Sequence, residues 1–109
     1  MSEPITQLLI EDTVVGTGPE CPKGATITIH YRGTLMNGQE FDSTTGSKPA
    51  TFPLNRLIKG WQEGIPGMKA GGKRTLTIPY ALAYGAAGAP PDIPAKSDLI
   101  FEIELISFR

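Results

Sequence analysis

Ala25-Thr26-Ile27-Thr28-Ile29-His30-Tyr31-Arg32-Gly33-Thr34-Leu35, followed by Met36-Asn37-Gly38-Gln39-Glu40-Phe41-Asp42-Ser43, is the stretch on which the fold turns. Over 25–35 the side chains alternate. Ile27, Ile29 and Tyr31 fall on one face, and Thr26, Thr28, His30 and Arg32 on the other. Period-2 alternation marks a strand with one buried face. Asn37-Gly38 comes directly after it. That dipeptide accepts φ > 0 at both central positions of a tight hairpin turn, so 39–43 is read as the returning antiparallel strand.

The pattern recurs on either side. In 99–108, Leu99, Phe101, Ile103 and Leu105 share one face and Glu102 and Glu104 the other. Segment 73–78 alternates with Leu76 and Ile78 inward, and 7–15 reads as a first strand carrying Leu8, Leu9, Ile10, Val14 and Val15. The segment 54–68 is the one plausible helix, with Leu57, Ile58, Trp61 and Ile65 at helical spacing. Gly60 and Gly64 inside it and Pro66 after it limit it to about two or three turns. The segments 16–24, 44–50 and 79–94 are rich in Gly, Pro, Ala or small polar residues and read as loops, the last of them long and ordered. The expected fold is α+β: one domain over 1–109, a twisted antiparallel sheet of about five strands wrapped around one short helix. An apolar sheet face needs a cover, and Leu57, Ile58 and Trp61 supply it.

Composition narrows the function classes. The chain has 109 residues, enough for a hydrophobic core without disulfides or metal. Ten Lys/Arg stand against 11 Asp/Glu with no block of like charge, which argues against a nucleic-acid or anionic-membrane footprint. No apolar run reaches the length of a membrane span. The start, Met1-Ser2-Glu3-Pro4, lacks the basic and apolar regions of a signal peptide, so a cytoplasmic location is expected. Cys21, the single cysteine, lies in a loop-like Gly18-Pro19-Glu20-Cys21-Pro22-Lys23-Gly24 and reads as an inert free thiol. Nothing points to oligomerisation, and a monomer is the default.

Motifs for familiar chemistries are weak. Gly67-Met68-Lys69-Ala70-Gly71-Gly72-Lys73-Arg74 nearly matches a phosphate-binding loop, but Arg74 stands where Ser or Thr is needed. Its context is also reversed, since it follows a helix and opens a strand. His30 is the single histidine, on the polar face of its strand, without a triad signature. One His and one Cys give no usual metal site, so neither metal nor cofactor is expected. Asp42 by itself reads as a turn or capping aspartate. Trp61, Tyr31 and Tyr84 by themselves read as core or partly buried aromatics.

Aromatic and apolar residues nevertheless cluster at the ends of the strand-like segments: Phe41-Asp42-Ser43, Ile58-Lys59-Gly60-Trp61, Tyr84-Gly85 and Phe101-Glu102-Ile103-Glu104-Leu105. If they converge, they line an apolar pocket with few polar groups. Such a pocket suits a reaction that needs desolvation and shape but little acid or base. Rotation about an amide bond is one.

Taken together, Ile29-His30-Tyr31-Arg32-Gly33, Asn37-Gly38, Phe41-Asp42-Ser43, Leu57-Ile58-Lys59-Gly60-Trp61, the 67–73 glycine turn, Leu76-Thr77-Ile78-Pro79, Ala83-Tyr84-Gly85, Ile93-Pro94 and the 99–105 strand stand in the order and spacing of the FKBP-type peptidyl-prolyl isomerases. The chain resembles a minimal, single-domain member over about 8–108. The resemblance implies acceleration of cis-trans exchange at X-Pro bonds in folding or flexible chains, with no covalent intermediate and no cofactor. Trp61 would form the pocket floor, with Tyr31, Phe41, Phe101, Leu57, Ile58 and Ile93 as walls. The Tyr84 hydroxyl and the Ile58 N–H would hold the substrate, Asp42 would supply a rim carboxylate, and Ala89 would border the substrate. Macrolides such as rapamycin or tacrolimus would fit the same pocket. The rim departs from the family pattern at Gly46, Ala50, Ala89 and Asp92, which bears on macrolide affinity. Thr44-Thr45-Gly46 stands where many members carry an Arg that pairs with the pocket aspartate. Two other readings share these residues: a binding module that grips a proline-containing partner with incidental catalysis, and a chaperone that shields unfolded chains through the 79–94 loop.

Overall fold

Two ten-residue strands form the spine of the molecule. In the computed structural model, which describes residues 7–44 and 46–109, the alternating stretch becomes β3 (Thr26–Leu35), the third strand along the chain. Before it come β1 (Leu9–Val14) and β2 (Thr17–Glu20), and after it β4 (Glu40–Ser43) and β5 (Ala50–Pro53). A helix, α1 (Lys59–Gly64), precedes β6 (Lys69–Ala70), β7 (Lys73–Ile78) and β8 (Leu99–Phe108). β3 and β8 pair antiparallel, with Ile29 opposite Leu105, Tyr31 opposite Ile103 and Gly33 opposite Phe101. The sheet order is β1-β7-β8-β3-β4. β5 lies on the same edge of β3 as β4, one pairing with Thr26 to Ile29 and the other with Arg32 to Thr34. The sheet is thus five positions wide, with one position shared by two short strands.

The alternation read from the sequence is the alternation of burial. Ile27, Ile29, Leu76, Ile78, Leu99 and Leu105 are fully buried, and Phe101 and Ile103 nearly so. Burying each such side chain stabilises the fold by about 1.5–3 kcal/mol before the entropy of ordering is set against it. Trp61, Leu54 and Ile65 cover that face.

The helix is shorter than its sequence pattern suggested. Residues 54–56 form a single 3-10 turn, Leu57 and Ile58 are extended, and α1 has six residues. A helix this short is unstable alone, and packing holds it. Gly60 and Gly64 are one turn apart and face β7. A Cβ on Gly60 would lie 2.5 Å from Ile78 Cγ2, and one on Gly64 would lie 2.8 Å from Leu76 Cδ1. The glycines that limited the helix in the sequence are therefore what lets it approach the sheet. Arg74, the residue that breaks the phosphate-loop pattern, closes the helix's far end. Its Nη1 donates to the Gly64 carbonyl at 2.8 Å and the Pro66 carbonyl at 3.3 Å, while its Nε donates to Asp12 Oδ1 at 2.6 Å.

Two stretches expected as loops are more ordered. Segment 16–24 contains β2, which pairs with β6 as a separate two-stranded sheet. It carries Pro19 and is exposed throughout, so no burial pattern announced it. Cys21, just past β2, is buried among the core residues rather than sitting in an open loop, and burial pushes its thiol pKa up. Segment 44–50 opens with buried Thr44 and runs into β5, whose brief Ala-Thr-Phe-Pro sequence gives little alternation. β1 forms as expected, but Leu9, Ile10, Val14 and Val15 remain exposed around it.

Candidate functional site

Between the inner face of the sheet and α1 lies a cavity of about 270 Å³, lined by Tyr31, Phe41, Asp42, Phe52, Leu57, Ile58, Trp61, Tyr84 and Phe101. The rings meet edge to face. Trp61 and Phe101 have centroids 5.0 Å apart at 87°, Tyr31 and Trp61 5.2 Å at 75°, and Phe41 and Phe101 5.5 Å at 90°. These arrangements match the positive edge of one ring to the negative face of the next. They also fix the shape of the hollow, because each ring is braced by another.

Each element delivers its residue for a local reason. Tyr31 follows Ile29 on the inner face of β3, and its main chain is held by Thr44. The Tyr31 N–H donates to Thr44 Oγ1 at 3.0 Å, and the Thr44 N–H donates to the Tyr31 carbonyl at 2.9 Å. Gly33 lies between Phe41 and Phe101, where a Cβ would fall 2.7 Å from both rings. Ile58 precedes the helix with extended backbone angles, and its carbonyl accepts from the Trp61 and Gln62 N–H groups. Its own N–H, at the open end of a helix, finds no acceptor among the described residues. Tyr84 follows a 3-10 turn, Tyr80–Leu82, which is pinned by the Tyr80 N–H donating to Asp98 Oδ1 at 2.9 Å.

Polar groups are few and placed at the edge. The Tyr31 hydroxyl donates to Asp42 Oδ2 at 2.6 Å. Burial pushes the Tyr31 phenol well above its ordinary range, helped by that hydrogen bond and by the Asp42 charge. The Tyr84 phenol is raised too, by burial first and by Asp42 second. Both phenols therefore stay protonated and able to donate at neutral pH. The Trp61 Nε1–H is buried without a partner among the described residues.

The structure brings Tyr31, Phe41, Asp42, Ile58, Trp61, Tyr84, Phe101 and Leu57 into one lining. It does not bring Ala89 and Ile93 there. They pair with each other, the Ala89 N–H donating to the Ile93 carbonyl at 2.9 Å and the reverse at 3.0 Å, and Ile93 is buried in the core. Gly46, Ala50 and Asp92 are also outside the lining. Phe52 is inside it, and the sequence reading missed it because residues 51–53, between the expected loop and the expected helix, were assigned to no element. Its signal was a lone aromatic two residues after Ala50.

A larger hollow, about 400 Å³, lies on the other face of the sheet, among His30, Arg32, Lys73, Glu102 and Glu104. Its charges oppose one another, as where Arg32 Nη1 lies 3.9 Å from Glu102 Oε2. His30 is satisfied there by Thr44, with Nδ1 2.8 Å from Oγ1.

Comparison with known proteins agrees with this geometry. The family model described as FKBP-type peptidyl-prolyl cis-trans isomerase matches residues 18–106. An FK506-binding protein of Neisseria meningitidis is 52% identical over 102 residues, covering 91% of this chain and 94% of its own length. FK506-binding protein 4 of Rhizopus delemar is 50% identical over 94% of this chain, which spans 27% of that longer relative. Among solved structures, AtFKBP13 superposes with a TM-score of 0.86 at 46% identity, covering 94% and 93% of the two chains. FkpA from Escherichia coli superposes with a TM-score of 0.87 at 41% identity, covering 94% of this chain and 48% of that one. With the sheet wrapped on a short helix and one aromatic hollow between them, the chain belongs to the FKBP-type peptidyl-prolyl cis-trans isomerase family.

Proposed function

We propose that this chain accelerates rotation about X-Pro bonds of flexible or folding polypeptides in the cavity above Trp61. The observation that carries the reading is a hollow lined by six aromatic rings, with Asp42 its one carboxylate among the described residues. An amide is planar by resonance, and rotation faces a barrier of about 18–20 kcal/mol. Uncatalysed X-Pro exchange takes tens to hundreds of seconds. Twisting the bond breaks the resonance and shrinks the carbonyl dipole. Water favours the polar planar form, so moving the bond into an apolar hollow narrows the gap to the twisted form. Each 1.4 kcal/mol of barrier removed gives about tenfold in rate.

The prolyl ring packs on Trp61 between Tyr31, Phe52 and Phe101. The Ile58 N–H and the Tyr84 hydroxyl take carbonyls on either side of the rotating bond. Binding must favour the twisted form over the planar one for catalysis to follow, and fixed donors at the cavity edge do this without rearranging. No proton is transferred and no bond is made. The same walls suit a macrolide ligand. We further propose that the chain works as a cytoplasmic monomer; its lone cysteine, buried and unpaired, supports a reducing compartment.

The test is NMR exchange spectroscopy or a protease-coupled assay on a short Leu-Pro peptide. Acceleration at micromolar protein is expected. Folded protein that leaves the exchange rate unchanged overturns the reading in favour of a proline-binding module.

A further inference from the structure

The cavity lining carries a single formal charge. Asp42 is the only acidic or basic residue among the described residues that line it. Its Oδ2 accepts the Tyr31 hydroxyl, and its Oδ1 has no hydrogen-bond partner among the described residues. The ion pairs of the described residues lie elsewhere: Arg32 with Glu40 and Glu102, and Arg74 with Asp12. No Lys or Arg of the described residues pairs with Asp42. The two phenols nearby, Tyr31 and Tyr84, are held protonated and bring no positive charge to the rim. A carboxylate at the mouth of an apolar hollow thus faces whatever the substrate brings.

We propose that Asp42 makes the site selective for X-Pro segments that carry a Lys or Arg beside the reacting dipeptide, and selective against those that carry Asp or Glu there. This rests on the cavity being the seat of the X-Pro segment. The ring walls take the prolyl group whatever its neighbours are. The free carboxylate oxygen then attracts a flanking cation and repels a flanking anion. A partly exposed pair of charges changes affinity by about threefold in each direction, so Lys over Glu amounts to about tenfold. The effect is electrostatic at close to surface exposure, so salt screens it.

The test uses peptides with a Leu-Pro core carrying Lys, Gln or Glu directly after the proline or directly before the leucine. Binding by NMR titration and exchange rate are both measured, on the wild type, Asp42→Asn and Asp42→Glu. The expected result is an order Lys, Gln, Glu in at least one position, spanning about tenfold at ~20 mM salt and shrinking at ~0.5 M. The span collapses to about onefold in Asp42→Asn and persists in Asp42→Glu. Equal binding of the Lys and Glu peptides by the wild type overturns the proposal, as does a span that survives in Asp42→Asn. The two readouts separate the ideas. Asp42-dependent charge selection in binding without any acceleration keeps this inference and removes the isomerase reading. Acceleration with no charge preference does the opposite.

Discussion

The Tyr31 hydroxyl donates to Asp42 Oδ2 at 2.6 Å, joining the middle of β3 to the end of β4 across the mouth of the cavity. The two residues stand on strands that pair two positions away, Gly33 opposite Asp42. That diagonal keeps the phenol turned to the rim and leaves its ring edge against Trp61, 5.2 Å between centroids. The bond therefore shapes the hollow as well as fixing its charge. Tyr31→Phe is expected to lower kcat/KM by about three- to tenfold while costing the fold about 1 kcal/mol, the worth of an ordinary hydrogen bond. Exchange rates and urea midpoints measured on the same protein check this, and unchanged exchange would assign the bond to stability alone.

The same pair sets a pH dependence. Tyr31 and Tyr84 both have phenol pKa values raised above 10 in the fold. A group that holds its proton more tightly when folded contributes stability that is complete below its unfolded pKa. That contribution fades as pH rises toward the folded value. Stability is thus expected to fall above about pH 10, and less steeply in a Tyr31→Phe, Tyr84→Phe double variant. Melting temperatures between pH 8 and 11 read this out. A slope identical in the two proteins would contradict it.

Gly33 and Gly38 separate a packing glycine from a turn glycine. A Cβ at Gly33 meets Phe101 and Phe41 at 2.7 Å, whereas Gly38 has open space but φ of +90°. Gly33→Ala is expected to push the two rings and to cost about 1–3 kcal/mol, with activity down at least about tenfold. Gly38→Ala should cost about 1 kcal/mol through backbone strain alone and leave exchange rates unchanged. Equal activity in the two variants would show that the Phe41–Phe101 contact does not shape the site.

Gly60→Ala reverses a general rule. Alanine in place of glycine inside a helix ordinarily stabilises by about 0.5–1 kcal/mol. Here the new methyl would strike Ile78, 2.5 Å from Cγ2. A destabilisation of about 1–3 kcal/mol is expected, and denaturant unfolding decides the sign.

Arg74→Met removes the donors that hold the Gly64 and Pro66 carbonyls and strands Asp12. With the Arg74 side chain only 11% exposed, a loss of about 2–4 kcal/mol is expected. Lysine should not restore it, since one ammonium cannot reproduce the fork. Full stability in Arg74→Lys would mean that the charge, not the geometry, matters.

Much of this was legible before the structure. The strand pattern of 25–35, 73–78 and 99–105 appears in the fold as burial, because a sheet with one covered face must alternate. The convergence of Tyr31, Phe41, Trp61, Tyr84 and Phe101 followed from the family order of motifs. β5 and Phe52 were not legible, because four residues ending in Pro53 carry too little pattern. Ala89 and Ile93 share a loop with Tyr84 but pair with each other and are not among the residues that line the cavity.

What the sequence determined by itself was which residues lie on the same face, since alternation depends only on neighbours along the chain. It also determined the hairpin, although the turn is not the two-residue form expected: Gly38 alone is left-handed, and its N–H donates to the Leu35 carbonyl to close a three-residue loop. The tertiary structure decided how close the layers come. Helix contact with the sheet depends on Gly60 meeting Ile78 and Gly64 meeting Leu76, residues whose positions along the chain say nothing of their distance. It also decided that Asp42 faces Tyr31 rather than a cation, because the charge of a rim is set by which side chains arrive there from separate strands.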